Sequence, residues 1–202
     1  MNTSALEYGN YYHVYNRGIN SCNLFQENEN YGYFLHLFDK HISPVADTFA
    51  WVLMKNHFHF LVRIKQEEEI NLELLNLRDF GNLEGLERIN KQFSNLFNAY
   101  TKAINKRYVR TGSLFEHPFR RIKVEHPDHL KYLVYYIHHN PVHHGFCESM
   151  YDYPWSSFLT VPSPLKTKLK RKEVLAWFEN MDGFIQYHNA QKLEEESFLH
   201  IN

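Results

Sequence analysis

Two strand-forming runs, Thr48–Met54 and His57–Ile64, are separated only by Lys55-Asn56. A link that short suits antiparallel strands, so the pair reads as a β-hairpin around which the rest of the chain must be arranged. Upstream, Tyr11–Arg17 (YYHVYNR) is aromatic and β-branched and reads as a strand ended by Gly18. Glu27–Ile42 reads as an amphipathic helix that stops before Pro44. Downstream, Leu86–Tyr108 carries Ile89, Phe93, Leu96, Phe97 and Tyr100 at helical spacing, and Phe119–Val124 alternates as a strand. Pro127 suits the first turn of a helix over Asp128–Asn140, which Pro141 is expected to terminate. The order β-α-β-β-α-β-α predicts an α+β fold, a ferredoxin-like antiparallel sheet with helices packed mainly on one face. Residues 1–162 are expected to form this domain, with an acidic insertion at about 66–83. Residues 163–202 read as a Lys-rich linker and a small helical tail.

The chain has 202 residues, 44% of them hydrophobic and 16% aromatic, enough for an ordered core. No apolar run approaches the roughly 18 residues of a membrane span. The opening MNTSALEYGNYYHVYNRG does not have the charged region and apolar core of a secretory signal. Cys22 and Cys147 are the only cysteines, which fits a reducing cytoplasm better than a disulfide scaffold. The net charge of −1 is unlike that of a typical nucleic-acid binder, but the charges are segregated. Lys102, Lys106, Arg107, Arg110, Arg120, Arg121 and Lys123 fall in one segment with Glu116 as its only acid. A local basic face of this kind can bind a phosphate backbone, although charge runs are commonly only solvated surface.

Residues i and i+2 of a strand point to the same side, so His57 and His59 project together while Phe58 and Phe60 point oppositely into a core. Two neutral imidazoles so placed can share a metal ion if a third ligand comes from elsewhere. Among 14 histidines a His-x-His pair also arises by chance, so the pair alone fits core or surface histidines better than a metal site. The segment Lys131–Pro141 (KYLVYYIHHNP) puts Tyr136 and Asn140 one above the other on a helix face. If that helix packs beside the His strand, Asn140 supplies a carbonyl oxygen as third ligand and Tyr136 sits near a phosphate polarised by the metal. A phenol with a pKa of about 10 needs such help to act as a nucleophile. No GxxxxGK[ST] loop is present, so no nucleotide cofactor is expected.

Five segments, YYHVYNRG (11–18), WVLMKNHFHFLV (51–62), RTGSLFEHPFR (110–120), YYIHHNPV (135–142) and YPWSSF (153–158), together resemble the single-tyrosine HUH transposases. Within that group they resemble the REP-associated tyrosine transposases, in family order over roughly residues 8–160. The resemblance implies an HUH catalytic domain with His57 and His59 as the HUH pair, Tyr136 as the catalytic tyrosine and Asn140 as the third metal ligand. It implies magnesium or manganese as the metal, and single-stranded DNA bearing imperfect hairpins as the substrate. The protein would work as a monomer or a homodimer. Arg17, Arg110, Arg120 and Arg121 lie in matching segments and are candidate phosphate contacts, joined by the nearby Lys102, Lys106 and Arg107. Tyr108, Phe115 and Trp155 are candidate stacking platforms for unpaired bases. The acidic insertion and the Lys-rich tail are outside the family pattern. Two other readings stay open: a domesticated hairpin-DNA-binding protein without transposition activity, and a hydrolase whose metal activates water.

Overall fold

The computed structural model describes residues 4–71 and 84–190. Strands β1 (Tyr11–Arg17), β2 (Ala46–Met54), β3 (His57–Ile64) and β4 (Arg120–Lys123) form one sheet in the order β2-β3-β1-β4. Every pairing in it is antiparallel. Helices α1 (Asn28–His41) and α2 (Gly85–Arg107) make the β1–β2 and β3–β4 crossings, which completes a ferredoxin-like βαββαβ unit. Three α-helices follow among the described residues: α3 (Asp128–His143), α4 (Arg171–Trp177) and α5 (Met181–Ala190).

Alternation along the strands divides the interior into two cores. Phe58, Phe60, Val62 and Ile64 of β3 meet Phe34, Leu37 and Phe38 of α1 and Phe93, Leu96 and Tyr100 of α2. Within this core Phe38 stacks on Phe60 with ring centroids 4.0 Å apart. A reciprocal cap starts α1, in which the Glu27 side chain accepts from the third helical N–H and Asn30 accepts from Glu27 N–H. On the opposite side of the sheet, Phe49, Val52, Met54 and Leu61 meet Leu130, Leu133, Val134 and Ile137 of α3. Helices were expected mainly on one face. Helices α1 and α2 take that face, and α3, α4 and α5 cover the other, because the strands are apolar on both sides. Burying each large apolar side chain is worth about 1.5–3 kcal/mol, and α3 would forfeit several such terms if it left the sheet.

Pro141 does not end α3, which runs on to His143. A proline in the last turn removes one donor, the bond to the Ile137 carbonyl, and leaves the rest of the turn intact. His144 N–H closes the end on the Asn140 carbonyl at 3.0 Å, and Phe146 N–H reaches the Pro141 carbonyl at 2.8 Å.

The Lys-rich segment after Pro162 runs along the edge of β2. Lys170 N–H donates to the Thr48 carbonyl at 2.8 Å. The Lys168 ammonium pairs with Asp39 at 2.7 Å, and that of Lys170 pairs with Asp47 at 3.4 Å. Beyond it, Val174, Phe178 and Phe184 complete the second core. Of the acidic stretch 66–83, residues 66–71 are described, with Glu69 paired to Arg63 at 2.9 Å. Residues 72–83 lie outside the described residues. No described helix is long and apolar enough to cross a membrane.

Candidate active site

Strand register builds one side of the site. His59 of β3 stands opposite Tyr15 of β1, and Tyr15 stands opposite Arg120 of β4. His57, two residues from His59, shares its face, and the two imidazole centroids are 5.3 Å apart. Helix α3 lies over this face. Its Tyr136 ring meets His59 edge-on at 5.8 Å and His13 at 6.1 Å between centroids. Asn140, one turn further along α3 and fully buried, is close enough to both His57 and the Tyr136 phenol to affect the protonation of each. A cleft of about 390 Å³ opens here, bounded by His57, His59 and Tyr136, with Arg17, Arg120, His143 and His144 around it.

Burial dominates the electrostatics. It pulls the His57 imidazole down to about 4, helped by the nearby His144 and opposed by the Asn140 carboxamide. His59 is held well below the usual histidine range by burial, and then by His13, His57 and His144 around it. Both imidazoles are therefore neutral at pH 7, the form that offers a lone pair. Burial raises the Tyr136 phenol, while the Asn140 carboxamide, which donates to the Tyr136 carbonyl at 3.4 Å, pulls it back down. His57 Nδ1–H donates to the Asn56 carboxamide oxygen at 2.7 Å, which leaves Nε2 as its lone-pair nitrogen.

The donor set fits a divalent cation. His59 Nε2 and Asn140 Oδ1 are buried without hydrogen-bond partners, and such atoms are costly unless something is bound there. Among the described residues no three His, Cys, Asp or Glu side chains are grouped to hold a metal. The Asn140 oxygen is the candidate third protein ligand for a cation at the two imidazoles.

Of the basic residues singled out from the sequence, the fold brings Arg17 and Arg120 to the cleft. Both lean on Glu116, at 3.1 Å and 3.4 Å respectively. Arg121 points to the other side of β4, where it donates to the Ser4 carbonyl at 2.6 Å and lies over the Phe119 ring. Arg107 pairs with Glu27 at 2.6 Å, and Lys106 with Arg107 borders a separate hollow between α1 and α2. Arg110 bonds Asn105, while Lys102 is exposed on α2; neither lines the cleft. The stacking candidates are also otherwise engaged. Phe115 is sealed in the first core, the Tyr108 hydroxyl is tied to Asn30 at 2.9 Å, and Trp155 stacks on Tyr31 at 4.7 Å.

Sequence reasoning missed His13, Tyr15, Asn56, Glu116 and the pair His143–His144. His13 could have been noticed from its alternation with Tyr15 on β1, given the pairing of β1 with β3. His144 reaches His57, with ring centroids 4.9 Å apart, only because α3 continues past Pro141.

Neither a protein-family model nor a curated protein matches the sequence. Among solved structures, that of a REP-associated tyrosine transposase bound to a REP hairpin is similar in fold. The TM-score is 0.56 at 20% sequence identity, over 83% of this chain and 90% of that one. The likeness is one of architecture, a four-stranded antiparallel sheet with helices attached, and any chemistry has to be argued from the side chains of this chain.

Proposed function

We propose that this chain is a metal-dependent single-stranded DNA endonuclease and strand transferase of the single-tyrosine HUH type, in the REP-associated branch. The observation that carries this reading is the meeting of His57 and His59 with Tyr136 at one open cleft with arginines at its edge, with Asn140 buried one helical turn from Tyr136. Fold likeness to a hairpin-bound transposase supports hairpin-bearing DNA as the substrate class.

Tyr136 would be the nucleophile. Its oxygen bonds to the scissile phosphorus as the bond from phosphorus to the 3′-oxygen of the preceding nucleotide breaks. The phenol gives up a proton and the departing 3′-oxygen takes one up, so a 5′-phosphotyrosine and a free 3′-hydroxyl result. The phosphodiester bond energy is kept in the adduct, and rejoining needs no nucleotide cofactor. Asn140 would hold the phenol oxygen by hydrogen bonding and favour its ionised form. Arg17 and Arg120 would seat flanking phosphates and fix the strand for in-line attack. A magnesium or manganese ion bound by His57, His59 and Asn140 would neutralise charge on the scissile phosphate.

The test is a denaturing gel of the protein with labelled, hairpin-bearing single-stranded DNA and Mn²⁺ or Mg²⁺. A covalent protein–DNA band is expected, lost in Tyr136→Phe while hairpin binding persists. An adduct surviving in that variant would move the nucleophile elsewhere, to Tyr132 rather than the fully buried Tyr135. Free 5′-phosphates with no adduct would favour hydrolysis by activated water.

A further inference from the structure

The second core contains a buried imidazole pair whose hydrogen bonding is complete. His188 Nδ1–H donates to the Phe184 carbonyl at 2.8 Å, so His188 Nε2 accepts from His138 Nδ1–H at 3.0 Å. His138 Nε2 in turn accepts from Ser157 Oγ–H at 2.8 Å. A carbonyl at one end fixes both tautomers. The pair beside the cleft differs. His13 Nε2 and His59 Nδ1 share one proton at 2.9 Å, yet His13 Nδ1 and His59 Nε2, the two outer nitrogens, are both buried with no partner.

Two arrangements of that pair are possible. If His13 donates, His59 must carry its own proton on Nε2, and that nitrogen has no lone pair to offer. If His59 Nδ1–H donates to His13 Nε2, the lone pair of His59 lies on Nε2, the nitrogen that stands without a partner beside the cleft. His57 has no such ambiguity, because the Asn56 oxygen can only accept.

We infer that His13 is a positioning residue for cation binding: it accepts the Nδ1 proton of His59, so that His59 presents an unprotonated Nε2 to an ion shared with His57 and Asn140. The inference rests on the proposed function for the identity of that ion. Geometry supports it beyond the hydrogen bond. The His13 and His59 rings lie nearly parallel, 5.0 Å apart, and Tyr15 stacks on both at 4.9 Å and 5.6 Å. His59 is thus held against rotation from β1. A second cavity of about 90 Å³ borders His13, with room for a water of ~30 Å³ that could accept a hydrogen bond from that ring. Outer partners of metal-bound histidines usually orient the ring in this way, and losing one weakens metal affinity about 10- to 100-fold.

The experiment uses the full chain and Mn²⁺ or Mg²⁺ without DNA. Free Mn²⁺ is titrated by electron paramagnetic resonance for wild type, His13→Leu and His13→Gln. Ring ¹⁵N shifts of His59 are recorded in the wild type with and without Mg²⁺. The expected results are a loss of affinity of about 10- to 100-fold in His13→Leu and recovery to within severalfold of wild type in His13→Gln, whose amide oxygen can accept in place of Nε2. His59 should show the Nδ1–H tautomer when Mg²⁺ is bound. Wild-type affinity in a folded His13→Leu overturns the inference. So does an Nε2–H His59 under saturating Mg²⁺, which needs no variant to fold. Either result leaves the cation site and the proposed reaction standing, whereas a wild type that binds neither ion overturns both.

Discussion

Asn140 serves two neighbours with one short side chain: its carboxamide influences His57 and the Tyr136 phenol, and its Oδ1 is buried without a partner. Removing the hydrogen bond to an ionised phenol costs about 1.5–3 kcal/mol, roughly 10- to 150-fold in rate. Asn140→Leu should therefore slow adduct formation by at least about tenfold even at saturating Mn²⁺. It should also shift the rate plateau to higher pH, because the phenol loses the contact that pulls its pKa down. Hairpin affinity without metal should stay unchanged. Single-turnover rates across pH measure this, and an unaltered profile would detach the carboxamide from the phenol. The pairings within this site were legible in the sequence because they are local: two residues along a strand for His57 and His59, four along a helix for Tyr136 and Asn140. His13 was not legible, since its contact with His59 spans 46 residues and arises only from strand pairing.

Among the elements, α3 had the more accurate start and the less accurate end in the sequence reading. Its terminus at Asn140 was inferred from Pro141, but a proline in the final turn costs only one hydrogen bond, and the helix continues to His143. The strands and α1 and α2 were read within a residue or two because alternation and helical spacing are strong in them. The packing of α4 and α5 was not, because a Lys-rich segment looks like a tether until its ion pairs to Asp39 and Asp47 are seen. What ties α5 to α3 and β2 is the closed chain of His188, His138 and Ser157, with Trp51 N–H donating to Ser157 Oγ at 2.8 Å. His188→Phe keeps a ring among Phe158, Phe178 and Phe184 but strands the buried His138 Nδ1–H. The cost should be about 1–3 kcal/mol at pH 7, read from urea unfolding. Acid should then narrow the gap between the two proteins. Burial pulls His188 down to about 4 in the folded chain, against its hydrogen bond to Phe184, whereas in the unfolded chain it titrates near 6.5. Between these values the unfolded state binds more protons, so this contribution is complete above about 6.5 and fades as pH falls toward 4. Wild type should lose stability across that window up to about 1.4 kcal/mol per pH unit more steeply than His188→Phe. Equal slopes would mean that His188 is not buried in its neutral form.

At the scale of the whole molecule, a net charge of −1 means that any attraction for DNA has to be local. In the sequence Lys102, Lys106, Arg107 and Arg110 read as one positive patch, with one of Arg120 and Arg121 able to face the same groove, whereas the fold distributes these residues over different surfaces. Register along β4 turns Arg120 toward the cleft beside Tyr15 and sends Arg121 to the other side, onto Ser4 and Phe119. Arg17 reaches the same cleft from β1, and Glu116 lies against both cleft arginines, so a phosphate arriving there would compete with that carboxylate. Each phosphate contact on a single strand contributes about 0.7 to the slope of log K against log salt. Replacing Arg17 and Arg120 by alanine should therefore flatten the slope for a hairpin with a single-stranded extension by about 0.7 each, while Arg121→Ala should leave it unchanged. The same titration on Arg110→Glu tests whether the α2 end adds a second contact, because a residue outside the cleft alters the slope only if the DNA extends that far. A slope that Arg17→Ala and Arg120→Ala both leave intact would place the DNA path away from Tyr136. A phenol that no phosphate approaches cannot be the nucleophile, whatever its neighbours do to its proton.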